Sequence, residues 1–441
     1  GKVIADGIIK VYLTGTSTLA SFYTLSSGGT AASEITSDDN GGYYFYVDEA
    51  DYPSTQHFDL VLSKTGFTPK SYTDITIFPI INPDWIDSRD YATLELANTA
   101  AYTAGKLLII SQNYTLTANT TLTASIMCIP GGSFTKAAAY TLTINGSFNN
   151  LDNGQVFISF TTGVIFGSNS IKEVNPQWWG ENTTPGTTDM TAAFASMFAS
   201  IVAVGVANII IPPGIYLVDK LDFSALYGMT RLFFDARQAK IIAQSNQTNF
   251  IIINPGANKQ FLGNADIKFG FIDLVKASKT IDNGIYIRHF NDCYFSIHSL
   301  MNGTGTGVFF DEGGTPDYGI FNNFFEFNNI GGMDGAAIAI AGNTGVIGFQ
   351  GNTVKFGQIS YNLGGITTGQ TKDENTMYNL FMGGPIEINT QYGIYERGGR
   401  NTFLINNTNA NGTYGLGCET GLTYKSTFIG SFPDGYDSAI L

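Results

Sequence analysis

The second half of the chain repeats itself, and this repetition constrains the fold more than any other feature. One strand-like segment reads GIYIR from residue 284, GVFFD from 307, AIAIA from 337, GITTG from 365, GIYER from 393 and GLGCE from 415. A second segment reads ADIKFGFI from 265, CYFSIHSL from 293, NFFEFNNI from 323, NTVKFGQI from 352, NLFMGGPI from 379 and NTFLINNT from 401. Both advance together in steps of 22 to 30 residues. Each step is therefore one repeat of a solenoid.

No helical pattern separates these segments, and one repeat holds two or three short strands. Strands that stack repeat upon repeat, parallel and about 4.8 Å apart, predict a parallel β-helix over residues 221–441. Alternate residues of each strand then face the interior in columns. We expect one such column to contain Ile285, Val308, Ile338, Ile366 and Ile394.

The N-terminal part has a different pattern. Segments GIIKVYL, GGYYFYV, FDLVLSK and YTDITIF alternate apolar and polar residues, which predicts a small β-sandwich over residues 1–80. The stretch SDDNGGYYFYVDEADYPSTQHFDLVLSKTGFTPK resembles the carboxypeptidase-regulatory-like sandwiches that serve as adaptors at the front of phage tail fibres. Residues 81–95, with INPDWIDSRD, are interpreted as a linker, and residues 96–173 as a region of short, Thr-rich strands.

One amphipathic helix is predicted between these regions, within a segment at 174–220 that leads into the repeats. Asp189 is a suitable N-cap, and Phe194, Met197, Phe198 and Ile201 form one apolar stripe. We expect residues 190–202 to be the longest helix and to cap the first coil of the β-helix. Such a cap covers an open strand edge, which otherwise invites aggregation.

The same segment carries a family resemblance. NPQWWG at 175–180, TDMTAAF at 188–194 and PPGIY at 212–216 resemble, in order, the start of pectate-lyase-like right-handed parallel β-helices, a superfamily that includes phage tailspikes and polysaccharide depolymerases. The sequence departs from the pattern where ENTTPGT replaces a Gly-Asp-Gly loop and Met190 replaces an Asp. The resemblance implies the right-handed fold, a homotrimer and a saccharide ligand, but it identifies no catalytic residue.

Composition excludes several classes of function. A formal net charge of −14 argues against nucleic acid, whose binding proteins concentrate Lys and Arg. The sequence has no stretch of 18 apolar residues that would predict a membrane span, and no signal peptide precedes GKVIADG. The chain does not begin with Met, so we expect it to be a fragment of a longer protein. The three cysteines are far apart and do not indicate a disulfide framework. The three histidines have no metal-ligand spacing, and no Asp-x-Asp cluster indicates calcium, so we expect neither metal nor cofactor.

Candidate catalytic residues are outward-facing carboxyl groups, because glycoside hydrolysis needs two of them. Asp311 and Glu312 form an acidic pair at a strand exit, and Glu326 faces outward on the second strand, where pairing with Lys355 is its structural alternative. Glu396 falls on an inward phase. Either its strand has ended there, or it is a buried carboxyl group with a raised pKa.

Candidate substrate-binding residues lie in the third and fifth positions of the first strand. Tyr286, Phe309 and Tyr395 supply rings on which sugars can stack, and Arg288 and Arg397 supply hydrogen bonds to hydroxyl groups. The structural alternative is a ladder of ion pairs between adjacent coils, in which Arg288 pairs with Asp311 and Arg397 with Glu419.

The expected function is that of an extracellular phage tailspike. Such a protein attaches to the virion tail or baseplate through its N-terminal region and recognises a bacterial surface polysaccharide, a capsule or O-antigen; cleavage by hydrolase or lyase chemistry is the favoured further step. A non-enzymatic receptor-binding fibre and a bacterial secreted or surface carbohydrate-active β-helix are the alternatives. The sequence leaves open which glycan is bound and whether a site lies within one chain or between chains.

Overall fold

The computed structural model describes residues 5–24, 30–48, 51–53, 56–76, 84–151, 154–256, 259–311, 319–341, 348–369, 376–418 and 425–431. They form an all-β chain with two compact units, residues 1–84 and 85–441. Large parallel sheets dominate the second unit, consistent with a parallel β-helix.

The first unit is antiparallel. Its strands β1 to β6 are Ile8–Leu13, Phe22–Tyr23, Ala31–Ala32, Glu34–Thr36, His57–Ser63 and Lys70–Thr76. Four of them form a sheet in the order β4-β1-β5-β6, and β2 pairs with β3. Inward-facing residues of β1 and β5, such as Val11 and Phe58, form a separate core. The segment GGYYFYV, predicted as a strand, contributes only a bridge between Tyr46 and Tyr23.

Residues 85–174 contain a first stack of three parallel sheets. Its strands β7 to β16 are Trp85–Asp87, Leu107–Ile110, Asn113–Leu116, Thr120–Leu122, Ile126–Cys128, Ser133–Lys136, Leu142–Ile144, Phe148–Asn150, Phe157–Ile158 and Val164–Phe166. The sheet orders are β14-β11-β8-β7, β15-β12-β9 and β10-β13-β16. Within residues 96–173, predicted only as short strands, β8 to β16 thus already form stacked coils, each with one strand per sheet.

The stretch interpreted as a linker contains regular structure. Trp85–Asp87 pair in parallel with Leu107–Ile109, a 3-10 helix spans Ser88–Asp90, and helix α1 spans Leu94–Ala104. Thr93 caps α1 by accepting a hydrogen bond from the Leu96 N–H, and Gly105 ends it with a φ of 65°. Since α1 packs on β7, β8 and β10, it covers the beginning of the first stack.

A second stack follows along the chain. Its strands β17 to β40 are Glu173–Val174, Val206–Ile210, Gly214–Val218, Leu221–Asp222, Arg231–Ala243, Gln247–Ile253, Phe261–Leu262, Ala265–Asp273, Ile281–Ile287, Phe290–Asn291, Tyr294–Met301, Thr306–Asp311, Ile320–Phe321, Phe324–Gly331, Ala336–Ala341, Phe349–Gln350, Thr353–Ser360, Gly364–Thr368, Thr376–Met377, Leu380–Glu387, Tyr392–Glu396, Thr402–Asn409, Tyr414–Cys418 and Thr427–Ser431. They form an eleven-stranded, an eight-stranded and a five-stranded sheet. The order of the eight-stranded sheet is β20-β22-β25-β28-β31-β34-β37-β39, and β40 stands last in the eleven-stranded sheet.

The predicted interior columns are confirmed. Ile285, Val308, Ile338, Ile366 and Ile394 are successive register partners, and all are fully buried. On the eleven-stranded sheet, Phe295 and Phe325 are likewise buried partners. One continuous hydrophobic core runs from Leu94 to Leu416.

Helix α2, Thr191–Ile201, begins one residue later than predicted, and the Asp189 carboxylate accepts a hydrogen bond from the Thr191 N–H at 2.8 Å. The expectation of one longest helix is wrong, because helices α1 and α2 both have 11 residues. Helix α2 packs on β20 at the start of the second stack, as expected of a cap on its first coil, and it also packs on β16 of the first stack. It therefore joins the two stacks.

Two columns of buried asparagines mark the corners of the coils. In the first amide ladder, the N–H groups of Asn323, Asn352 and Asn379 each donate to the Oδ1 atom of the next ladder residue, at 2.9 to 3.1 Å, and the last acceptor is Asn401. Asn362, Asn389 and Asn411 form the second amide ladder in the same way. Because each amide replaces a missing backbone partner, the buried corner stays hydrogen-bonded.

Candidate functional site

The outer face of the eight-stranded sheet carries the predicted substrate-binding rings in one column. Successive register partners in this column are Tyr286, Phe309, Ala339, Thr367, Tyr395 and Gly417. Their inner neighbours are buried, so these side chains face outward. Rings stand at one end, small side chains in the middle, and a ring again at Tyr395.

Around Tyr395 the surface is hollow. A cavity of about 380 Å³ is lined by Thr367, Gln391, Tyr392, Tyr395, Arg397, Thr413 and Tyr414, which we call the tyrosine cavity. The ring centroids of its three tyrosines lie 5.7 to 6.3 Å apart. The guanidinium group of Arg397 lies 4.7 Å from the centroid of the Tyr395 ring, which is a cation–π contact.

Glycines in neighbouring strands make room for these rings. A Cβ atom on Gly417 would lie 2.4 Å from the Tyr414 ring and 2.7 Å from the Tyr395 ring, and one on Gly364 would lie 2.4 Å from the Tyr392 ring. Contacts this short are not tolerated, so a larger residue at either position would displace a tyrosine. The Thr367 hydroxyl lies 2.6 Å from the Tyr392 hydroxyl and fixes that ring further.

The other end of the column contains Tyr286, Phe309, Arg288 and Asp311. The rings of Tyr286 and Phe309 are stacked with centroids 6.0 Å apart. The Tyr286 hydroxyl donates a hydrogen bond to the Asp311 carboxylate. Burial and this hydrogen bond raise the pKa of Tyr286 above its ordinary value. Glu312, the predicted neighbour of Asp311 in catalysis, lies outside the described residues.

Glu326 lies on another surface. It belongs to β30 of the eleven-stranded sheet, whereas Asp311 belongs to β28 of the eight-stranded sheet. Its carboxylate pairs with Lys355 at 2.7 Å and accepts a hydrogen bond from Tyr294 at 2.8 Å. The pairing with Lys355 holds the pKa of Glu326 below its ordinary value, which suits a structural carboxylate better than a general acid.

Glu396 faces the interior and is fully buried, which confirms the second of the two sequence interpretations. Its carboxyl oxygens accept hydrogen bonds from Thr368 at 2.6 Å, Asn401 at 2.9 Å and Ser426 at 2.9 Å. Burial raises the pKa of Glu396, and the three hydrogen bonds oppose this rise in part. Ser426 occupies the next position of the first amide ladder, where its Oγ accepts from the Asn401 N–H at 3.0 Å, and the Glu396 carboxyl group accepts from the Asn401 side-chain amide.

The remaining reactive side chains lie away from this surface. His298 is exposed on the eleven-stranded sheet, 5.0 Å from the Phe271 ring. His289 is buried, and this burial lowers its pKa. Within the described ranges, no three residues of the types His, Cys, Asp and Glu are placed to hold a metal ion. No helix in the same ranges is long and apolar enough to cross a membrane.

The sequence prediction found Tyr395 and Arg397 but missed Tyr392, Tyr414 and Gln391. Tyr392 and Tyr414 are register partners and stand one residue before the aligned segments GIYER and GLGCE. Extending that alignment upstream by one residue would have found both. Searches against protein-family models and curated protein sequences gave no match to this chain.

Proposed function

We propose that this protein recognises a polysaccharide through the outer face of its eight-stranded sheet. The tyrosine cavity carries the proposal. It is a solvent-facing hollow whose walls are three closely spaced phenol rings, a guanidinium group and the side chains of Gln391, Thr367 and Thr413.

This set of groups matches the chemistry of sugars. A pyranose presents C–H faces that pack against aromatic rings, and its rim of hydroxyl groups both donates and accepts hydrogen bonds. Phenol, amide and hydroxyl side chains can do both, and Arg397 adds donors only. The volume of about 380 Å³ falls within the range of ordinary small-ligand sites.

The ring column supports a polymer as the ligand. Tyr286 and Phe309 lie on the same face as Tyr395, with Ala339 and Thr367 between them. Neighbouring strands are about 4.8 Å apart, which is close to the length that one sugar adds to an extended chain. A saccharide chain along the column would therefore meet rings at both ends and small side chains in its middle.

Recognition, and not cleavage, is the activity we propose. Glycoside hydrolysis needs two carboxyl groups about 5–10 Å apart. The described candidates are dispersed, because Asp311 lies on the eight-stranded sheet, Glu326 on the eleven-stranded sheet and Glu396 in the interior.

We further infer the setting of this activity from the sequence motifs at 175–216 together with the stacked parallel sheets. They support a right-handed β-helix of the tailspike or tail-fibre kind, assembled as a homotrimer and exposed on the outside of a virion. In this proposal the antiparallel N-terminal unit is the sandwich that attaches the fibre.

A panel of purified capsular and O-antigen polysaccharides tests the proposal. We expect saturable binding of at least one member, and a loss of about tenfold or more in affinity for Tyr395→Ala and Tyr414→Ala, as for aromatic hot spots elsewhere. Tyr102→Ala, which removes an exposed tyrosine from α1, is the matched control and should bind normally. Reducing ends released from the bound polysaccharide would show cleavage as well. Binding that survives both cavity substitutions would place recognition elsewhere.

A further inference from the structure

A second cavity lies on the first stack of parallel sheets and is independent of the tyrosine cavity. It measures about 460 Å³ and opens beside the sheet β14-β11-β8-β7. Its lining comes from β8, β11, β14 and the segment 169–178, and we call it the junction cavity. The lining residues are Leu107, Ile126, Met127, Ser147, Phe148, Asn149, Asn150, Asn169, Ser170, Lys172, Glu173 and Trp178.

The cavity arises because the wall of parallel strands divides here. After β14, the next coil follows it only at its start, where the Phe148 N–H donates to the Ser170 carbonyl at 2.7 Å. The chain then diverges, so that Glu173 and Val174 pair instead with Asn208 and Ile209 of β18. A hollow is left between Asn149 and Asn150 on one side and Lys172 and Glu173 on the other.

An aromatic ring forms part of the wall of this hollow. Trp178 is only 4% exposed, and its ring packs against Phe148 with centroids 5.3 Å apart. The indole Nε1 atom is buried and has almost no accessible surface, so Trp178 lines the cavity with the apolar part of its ring. Such a surface is one on which the C–H face of a sugar can pack.

The polar side chains of the lining indicate which class of ligand fits the junction cavity. Asn149, Asn150 and Asn169 offer amides that both donate and accept, Ser147 and Ser170 offer hydroxyl groups, and Lys172 and Glu173 bring opposite charges. Neutral donors and acceptors beside an aromatic ring fit hydroxyl groups and ring oxygens better than a phosphate, which calls for concentrated positive charge.

We infer that the junction cavity is a saccharide-binding site that holds a single sugar or a disaccharide, with the side chains of Asn149 and Asn169 bonding its hydroxyl groups beside the Trp178 ring. This site does not depend on the tyrosine cavity for any contact, and it provides the chain with a second place to hold a glycan.

Tryptophan fluorescence tests the site selectively. The chain has three tryptophans, Trp85, Trp178 and Trp179. Trp178 lines the junction cavity, and the Trp179 ring stacks on the Trp178 ring. Trp85 is the register partner of the lining residue Leu107. The tyrosine cavity contains none. Titration of the intact chain with a panel of hexoses, N-acetylhexosamines, uronic acids and their disaccharides should give a saturable change with at least one sugar. No change with any sugar overturns the inference.

Two substitutions and one control then locate the binding. Asn149→Leu should weaken sugar binding by about tenfold or more, the equivalent of one or two lost hydrogen bonds, whereas Thr143→Leu, on the outer face of β13 in another sheet, should not. Asn169→Gly suits the positive φ of 59° at that position and removes only the amide, so calorimetric titration should show weaker binding while the urea midpoint stays close to that of the parent. Unchanged affinity in both Asn149→Leu and Asn169→Gly overturns the inference.

Tyr395→Ala separates this site from the proposed function. The fluorescence response should persist in Tyr395→Ala, while polysaccharide binding through the tyrosine cavity is lost. A response that disappears with Tyr395→Ala would assign the sugar to the tyrosine cavity and would overturn the junction site alone. If no polysaccharide of the panel binds but the fluorescence response to the sugar persists, the proposed function is overturned and the junction site is not.

Discussion

Glu396 illustrates at the residue scale why the position of a carboxyl group does not by itself reveal its role. Its inward phase was visible in the sequence, and burial was one of two interpretations. The structure adds its partners: Oε1 accepts hydrogen bonds from the Asn401 side-chain amide and from the Ser426 hydroxyl. Ser426 in turn accepts from the Asn401 N–H, so the carboxyl group and Ser426 together complete a structural ladder.

The burial of Glu396 predicts a pH dependence of stability. Burial raises the pKa of Glu396 in the folded state, so folding favours the neutral carboxyl group. The stability that this group contributes is therefore fully present below the ordinary carboxyl pKa. It is lost as the pH rises through the raised pKa of the folded state. Urea unfolding between pH 4 and pH 9 should show this decline. Glu396→Gln should flatten the profile, since it has no charge to acquire.

A leucine at the same position supplies the contrast. Glu396→Leu leaves donors from Thr368, Asn401 and Ser426 without their acceptor and should cost about 2–4 kcal/mol of unfolding free energy at any pH. Equal pH profiles for the parent and Glu396→Gln would mean that Glu396 does not titrate in this range.

Residue roles on the outer face were predictable only in part. Alternation places Tyr286, Phe309 and Tyr395 outward, and the register confirms that they share one column. Alternation cannot say which sheet an outward residue belongs to, so it left open whether Glu326 could reach Asp311, which lies on a different sheet. That distinction depends on the bend between strands, for which a single sequence gives no direct signal.

At the scale of elements, helix α1 shows what periodicity misses. Leu94, Ala97, Asn98 and Ala101 form its buried face, but alanine and asparagine give a faint hydrophobic stripe. The capping signals, Thr93 before the helix and Gly105 after it, were present in the sequence. That α1 covers the first stack could not be predicted, because the short, Thr-rich strands of this stack show no clear repeat in the sequence.

Helix α2 should stabilise both stacks at once. Phe194 and Phe198 are buried, and the Phe198 ring lies 4.9 Å from that of Phe223 in the second stack. Replacing either phenylalanine with alanine should lower the free energy of unfolding by about 3–5 kcal/mol, which would be measured as a lower urea midpoint. Val202→Ala, at the exposed end of the same helix, is the control and should change the midpoint little. Unchanged midpoints in the phenylalanine variants would mean that the helix is peripheral.

The first amide ladder makes a separate prediction. Asn352 is 1% exposed, and its Oδ1 accepts from both the N–H and the side-chain amide of Asn323. Asn352→Ala leaves both donors of Asn323 without their acceptor and should lower the free energy of unfolding by about 2–4 kcal/mol. Asn328→Ala on the exposed face of β30 should cost little in the same chemical unfolding experiment. Similar losses for both variants would contradict a special role for the ladder.

At the scale of the whole molecule, the repeat predicted the stacking of the second half, because its columns are long, apolar and regular. It did not predict that stacking begins near Trp85, since β7 to β16 have only two to four residues each. The asparagines that begin NFFEF, NTVKF, NLFMG and NTFLI were equally regular. Their burial follows from the corner geometry, which periodicity does not describe.

Association of chains is the prediction at this scale. Among the described residues, strand β40 is the last of the eleven-stranded sheet, and Ile429 on it is 57% exposed. An exposed strand at a sheet end favours contact with another chain. Light scattering should give three times the chain mass of 47.5 kDa, and Ile429→Lys should shift the population towards monomer. A monomer at micromolar concentration would contradict this expectation.

The corners of the coils have a consequence for how such a protein can change in length. A residue of positive φ precedes each ladder asparagine, and these residues are as different as Asn322, Gly351, Tyr378 and Arg400. The asparagine that follows supplies the hydrogen bonds of the turn. The side chain of the residue before the asparagine has no such role and can therefore vary. Each coil also gives its neighbour on one side the same bonds that it receives from the other. A whole coil can therefore be duplicated or deleted in evolution without leaving an unmatched edge, so the length of the stack and the chemistry of its surface are able to diverge independently.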